Sequence, residues 1–143
     1  MYKKILVPID PAHGEVGGRI MAVAKLLADK DGELVLLTVT EPIPAYVANQ
    51  IPPELLQSNR DKALDQIRGM AEGAGVDHGT IELREGSPST IILEEAQRLG
   101  CDAIILGSHR PNYSDYLIGS TAARVVRHAQ CTVVVERSAG INV

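Results

Sequence analysis

Five short apolar runs, separated by four stretches with helical spacing, constrain this chain more than any other feature. Ile5 to Pro8, Leu34 to Val39, Ile81 to Leu83, Ala103 to Leu106 and Thr132 to Val135 read as strands. Between them, Val16, Ile20, Val23 and Leu27 recur at helical intervals, as do Leu56, Ala63, Ile67 and Met70, then Ile92, Ala96 and Leu99, then Ala122, Val125, Val126 and Ala129. This alternation predicts an α/β fold, a five-stranded parallel sheet with helices on both faces, because a parallel neighbour is reached only through a crossover. Ligands of such sheets sit outside the carboxyl ends of the strands. Here those ends are Pro8-Ile9-Asp10, Val39-Thr40-Glu41, Arg84-Glu85-Gly86 and Gly107-Ser108-His109-Arg110.

Length and composition agree with that pattern. The 143 residues suit one domain, 1–143, with no break in composition. The apolar 45% is aliphatic, without Trp or Phe, as expected of strands buried on both faces. A net charge of −4 lacks the basic footprint of a nucleic-acid binder. Met1-Tyr2-Lys3-Lys4 runs straight into Ile5-Leu6-Val7, an apolar run far too short for a signal peptide or a membrane span, so a cytoplasmic protein without membrane insertion is expected. The Pro-rich stretch from Glu41 to Pro53 is long for a strand-to-helix loop and reads as an extended cover or lid, and Ser138 to Val143 as a loose tail.

The chemistry concentrates in two places. Gly107 to Pro111 follows the fourth strand, and Gly119-Ser120-Thr121 opens a helix eight residues after Arg110. Glycines there let backbone approach a ligand, a fresh helix start favours an anion, and Ser120 and Thr121 add hydroxyls. The same residues also serve as ordinary turn and capping residues. Asp10, at the first strand's end, suits either a cap on the first helix or contact with ribose hydroxyls or a metal. The two groups should converge on one crevice.

Other residues have plainer readings. Ser87 suits a helix N-cap and Pro88 the first helical position. Glu94 and Glu95 read as the solvated side of a helix, Cys101 and Cys131 as small buried side chains, and Tyr113 and Tyr116 as packing residues. The four histidines and two cysteines show no metal-ligand spacing. The first strand is not followed by Gly-x-Gly-x-x-Gly, and no Gly-x4-Gly-Lys-Ser/Thr occurs, which argues against dinucleotide-binding and P-loop domains. A phosphoacceptor receiver would have several acids where Asp10 stands alone. In the crevice only Asp10 and His109 are candidates for acid–base work.

Ile5-Leu6-Val7-Pro8-Ile9-Asp10 together with Gly107-Ser108-His109 and Gly119-Ser120 resembles the universal stress protein family over essentially the whole chain. Ser108-His109-Arg110-Pro111, Tyr116 to Ser120 and Val125 to Cys131 are similar to an enterobacterial-type branch of it. The resemblance implies a Rossmann-like sheet of the adenine nucleotide alpha hydrolase type, in strand order 3-2-1-4-5. It also implies a stress-response regulator that binds ATP, with or without Mg2+, with AMP or ADP as alternatives. Pro8, Ile9 and Asp10 would line the adenosine, Val39 would meet adenine through its backbone and Leu106 would flank the base. Gly107, Gly119, Ser120 and Thr121 would take phosphates and ribose, with His109 beside them. The ATP-binding pattern is Gly, two residues, Gly, nine residues, then Gly and Ser or Thr. Here Arg110 replaces the second Gly and only eight residues precede Gly119. Arg110 would offer phosphate a planar charged donor. The family's homodimers pair through the last strand, which implies a dimer through 132–136, with room for an unidentified protein partner. Slow ATP hydrolysis or autophosphorylation, or an interaction module without nucleotide, are the other readings.

Overall fold

The computed structural model describes residues 1–11, 14–77, 79–108 and 119–137. The order of elements is β1 (Tyr2–Pro8), α1 (Gly14–Leu27), β2 (Ala28–Thr40), α2 (Ala45–Ala48), α3 (Pro53–Gly73), β3 (Thr80–Glu85), α4 (Pro88–Leu99), β4 (Ala103–Gly107), α5 (Ser120–His128) and β5 (Thr132–Glu136). All five strands are parallel, in the order β3-β2-β1-β4-β5, so β5 is an edge.

The apolar runs are continuous because alternate side chains feed different cores. Ile5 and Val7 of β1, Leu34 and Leu36 of β2, and Ala103 and Ile105 of β4 face a core shared with Ile20, Met21, Ala24, Ile67 and Ala71 of α1 and α3. Leu6, Val35, Leu37, Ile104 and Leu106 face the opposite core, closed by Ile92, Ala96, Ala122 and Val125 of α4 and α5. Ten large side chains are fully buried, all of them aliphatic or Met. Burying each stabilises the fold by about 1.5–3 kcal/mol before entropy is counted.

Some local expectations need correction. Val126 does not join Val125 in the core but stands 49% exposed. Neighbours on a helix point about 100° apart, so a nine-residue helix with a narrow contact cannot bury both. Glu95 is not on a solvated face. It is 8% exposed, and its carboxylate accepts from Arg84 at 3.2 Å and from Arg98 at 2.6 Å, while Glu94 is exposed as expected. β2 begins six residues early, at a polar stretch that pairs with β1 only through Tyr2 and Ala28 before a register shift. The segment after β2 contains one helical turn, α2, which buries no residue and leaves Tyr46 74% exposed. Ser87 occupies the N-cap of α4 and Pro88 its first position, yet the Ser87 hydroxyl makes no capping bond.

Gly100 ends α4 in the left-handed region at φ 68°, where a Cβ would be strained, and lets Cys101 N–H reach the Ala96 carbonyl at 2.9 Å. The turn delivers Asp102, whose carboxylate accepts the N–H groups of Lys3 and Lys4 at 2.9 and 3.0 Å and so ties β4 to the start of β1. Cys101 is buried and Cys131 half-buried, both free thiols, and burial pushes Cys101 up to about 11.

Candidate functional site

The ladder between β1 and β4 stops early. Ile5 pairs with Ala103 and Leu6 with Ile104, whereas β1–β2 pairing continues to Pro8 and Leu37 and β4–β5 pairing to Gly107 and Glu136. Pro8 has no N–H to carry a ladder further. Beyond it the chain follows β2: Ile9 N–H donates to the Leu37 carbonyl at 2.8 Å, and the buried Thr38 hydroxyl donates to the Ile9 carbonyl at 2.9 Å. The sheet therefore parts at its carboxyl end between β1 and β4, the point where the strand order reverses and where open α/β sheets place their ligands.

A cleft of about 450 Å³ occupies this opening, within the usual range for small-molecule sites. Pro8, Ile9, Asp10, Val39, Leu106, Gly107, Gly119, Ser120 and Thr121, from four segments of the chain, all line it. His109 and Arg110 lie outside the described residues, as do Tyr113 and Tyr116. Val16, Gly17 and Ile20 of α1, Ala63 of α3, Pro88 and Ile92 of α4, and Thr38, Thr40 and Ser108 complete the wall. Thr40 and Ser108 belong to the strand ends marked from sequence, whereas Val16, Gly17, Ile20, Ala63 and Ile92 were given no site role there because their helices reach the cleft only through packing. A second cavity of about 330 Å³ lies at the other end of the sheet, lined by Cys101, Cys131 and His128 between α4 and α5.

Chemically the cleft is asymmetric. Val16, Ile20, Val39, Ile92 and Leu106 make an apolar wall, while Ser108, Gly119, Ser120 and Thr121 bring hydroxyls and a helix start. Asp10 is the one ionisable residue among the described lining, and it lies four positions before Gly14, the first described residue of α1. The helical ladder of α5 begins with Ala123 N–H bonding the Gly119 carbonyl at 2.9 Å. The amides of Thr121 and Ala122 lie in the first turn, ahead of that bond, at the positive end of the helix dipole.

The two glycines act differently from each other. A Cβ on Gly107 would lie 2.8 Å from both Val16 Cγ1 and Ile20 Cδ1, so its missing side chain lets α1 close over β4. Gly119 has φ −60° and ψ 156°, a conformation open to any residue, and its N–H already donates to Ser108 Oγ at 2.8 Å. No group of three or more potential metal ligands occurs among the described residues, and no helix among them is long and apolar enough to cross a membrane.

Comparison with known proteins agrees with this architecture. A family model described as the universal stress protein family matches residues 1–137. The chain is 30% identical over 142 residues to universal stress protein G of Shigella flexneri, covering 96% of this chain and 100% of that one. Among solved structures, the universal stress protein UspA from Lactobacillus plantarum superposes with a TM-score of 0.76 at 26% identity, covering 95% of this chain and 98% of the other. A universal stress protein solved in complex with cAMP shares the fold with a TM-score of 0.67 at 20% identity, over 95% of this chain and 97% of that one. The chain belongs to the universal stress protein family.

Proposed function

We propose that this protein binds an adenine nucleotide, ATP foremost, in the cleft between β1 and β4, and acts as a dimeric regulatory protein of the cytoplasm rather than as an enzyme. The observation that carries the reading is the convergence of Asp10, the start of α5 and apolar side chains of α1, β2, α4 and β4 on one cleft. Val39, Leu106 and Ile92 form the surface for the base. Asp10 accepts hydrogen bonds from the ribose hydroxyls. The hydroxyls of Ser120 and Thr121, with the first-turn amides of α5, face the phosphates. Where Mg2+ accompanies the phosphates, Asp10 is the one carboxylate among the described lining residues. The solved relative in complex with cAMP supports the class of ligand, since that protein holds an adenine nucleotide on the same fold.

A regulator is preferred to a catalyst because Asp10 is the single ionisable residue among the described lining. The single domain, 1–143, is proposed to assemble through β5, whose outer edge has no strand beside it.

Denaturing freshly purified protein and identifying any released nucleotide by mass spectrometry, followed by calorimetric titration of the emptied protein, tests the assignment. Carried ATP, or ATP binding by the emptied protein, supports it. Neither, with magnesium present, overturns it in favour of an interaction module.

A further inference from the structure

Ser108 was marked in the sequence only as part of the loop after the fourth strand, without a role of its own, yet it holds together three elements at the mouth of the cleft. Its side chain is 8% exposed. Its N–H donates to the carbonyl of Glu136, the last residue of β5, at 3.0 Å. Its Oγ accepts the N–H of Gly119, the N-cap of α5, at 2.8 Å. The Glu136 carboxylate in turn sits 3.6 Å from Arg19 of α1. One buried hydroxyl thus joins the end of β4 to the start of α5 across eleven positions of chain, while its backbone fastens the same point to the sheet edge.

We propose that Ser108 is a positioning residue for the phosphate end of the cleft, setting the height and direction of the first turn of α5. This rests on the nucleotide reading. Gly119's N–H belongs to Ser108 and is not part of the anion's donor set, which leaves the amides of Thr121 and Ala122, both lining residues, to face the phosphates. Capping of α5 is also unusual in direction. The N-cap residue has no side chain to bond the amides ahead of it, so its own amide is anchored from behind by the residue that follows β4. Without that hydroxyl a donor at the foot of the helix loses its partner, and the helix start is free to tilt away from the ligand.

Ser108→Ala should weaken ATP binding about tenfold more than adenosine binding, the size expected for losing one well-placed hydrogen bond, and Ser108→Thr, which keeps the hydroxyl, should recover most of the difference. A readout in the unmodified protein runs in parallel. Amide exchange followed by NMR should show Gly119 protected before ATP is added and little changed after, while Thr121 and Ala122 become protected only with ATP. If wild type binds ATP but Ser108→Ala loses affinity equally for ATP and adenosine, or Gly119 gains protection only with ATP, Ser108 does not play this part and the nucleotide reading survives. A wild-type protein that binds neither ligand overturns the nucleotide reading and this role with it. Should Ser108→Ala not fold, the exchange pattern of the wild type decides alone.

Discussion

Gly107 and Glu95 show how a single position carries more than its residue type suggests. Gly107 ends β4 at the mouth of the cleft, and the space it leaves is filled by Val16 and Ile20. The Ile20 contact is the flexible end of a side chain, whereas Val16 Cγ1 branches at Cβ and yields only if α1 moves. Gly107→Ala should therefore cost about 1–3 kcal/mol in urea denaturation and push these two lining residues into the cleft, lowering nucleotide affinity as well. Glu95 takes Arg98 and Arg84 as partners, and the Arg98 hydrogen bond first, then Arg84, hold its carboxyl below the usual glutamate range against the opposing effect of burial. Its ionised form thus stabilises the fold fully above that range, and the contribution disappears as pH falls through it. Asp102 behaves alike: burial pushes it up, and the N–H groups of Lys3 and Lys4 more than offset this. Glu95→Gln should flatten the loss of stability as pH falls through and below the usual glutamate range in chemical denaturation and lower stability at neutral pH by roughly 1–2 kcal/mol, since charge-assisted bonds become neutral ones. An unchanged acid limb would place the pH dependence elsewhere.

At the scale of elements, the early end of the β1–β4 ladder makes the site. Strands that pair to their tips leave no opening, and here two neighbouring ladders run on while the central one stops at Leu6 and Ile104. α4 and α5 matter because both begin at the cleft, and Arg124 of α5 donates to the Ser89 hydroxyl of α4 at 3.2 Å, tying the two starts together. β5 has the other decisive position. Val133, Val134 and Val135 are half-buried on an edge with one neighbour only, and Val126 is exposed on α5. Sedimentation equilibrium at micromolar concentration should give twice the protomer mass, and Val134→Pro should shift it to the protomer by removing an N–H and breaking the strand. A single protomer mass in the wild type would show that this edge is closed in another way.

For the molecule as a whole, two apolar cores on either side of one sheet provide a rigid frame, and the cleft is a gap in it rather than an added feature. A ligand held there touches both layers, α1 and α3 on one face and α4 and α5 on the other. Binding should therefore stabilise the fold as one unit. ATP at 100 times its dissociation constant is expected to add about 2.7 kcal/mol, visible as a single thermal transition moved up by several degrees. A transition that ATP leaves in place at millimolar concentration would argue against the site.

Much of this was determined by the sequence alone. Alternation of apolar runs with helical spacing specifies a parallel, doubly covered sheet, because strands buried on both faces cannot show polar alternation and helices between them must cross over. Pro8, Asp10, Gly107 and Gly119 were legible as residues that line the cleft because they lie at strand ends and a helix start, which local chemistry marks. What tertiary structure decided was the reason each one is there and who joins them. The fit of α1 against Gly107, the bond from Gly119 to Ser108, the burial of Glu95 between two arginines and the parting of β1 from β4 all depend on which elements come to lie side by side. Spacing along one chain records the period of an element but not the distance between two, so these contacts became visible only when the elements were packed.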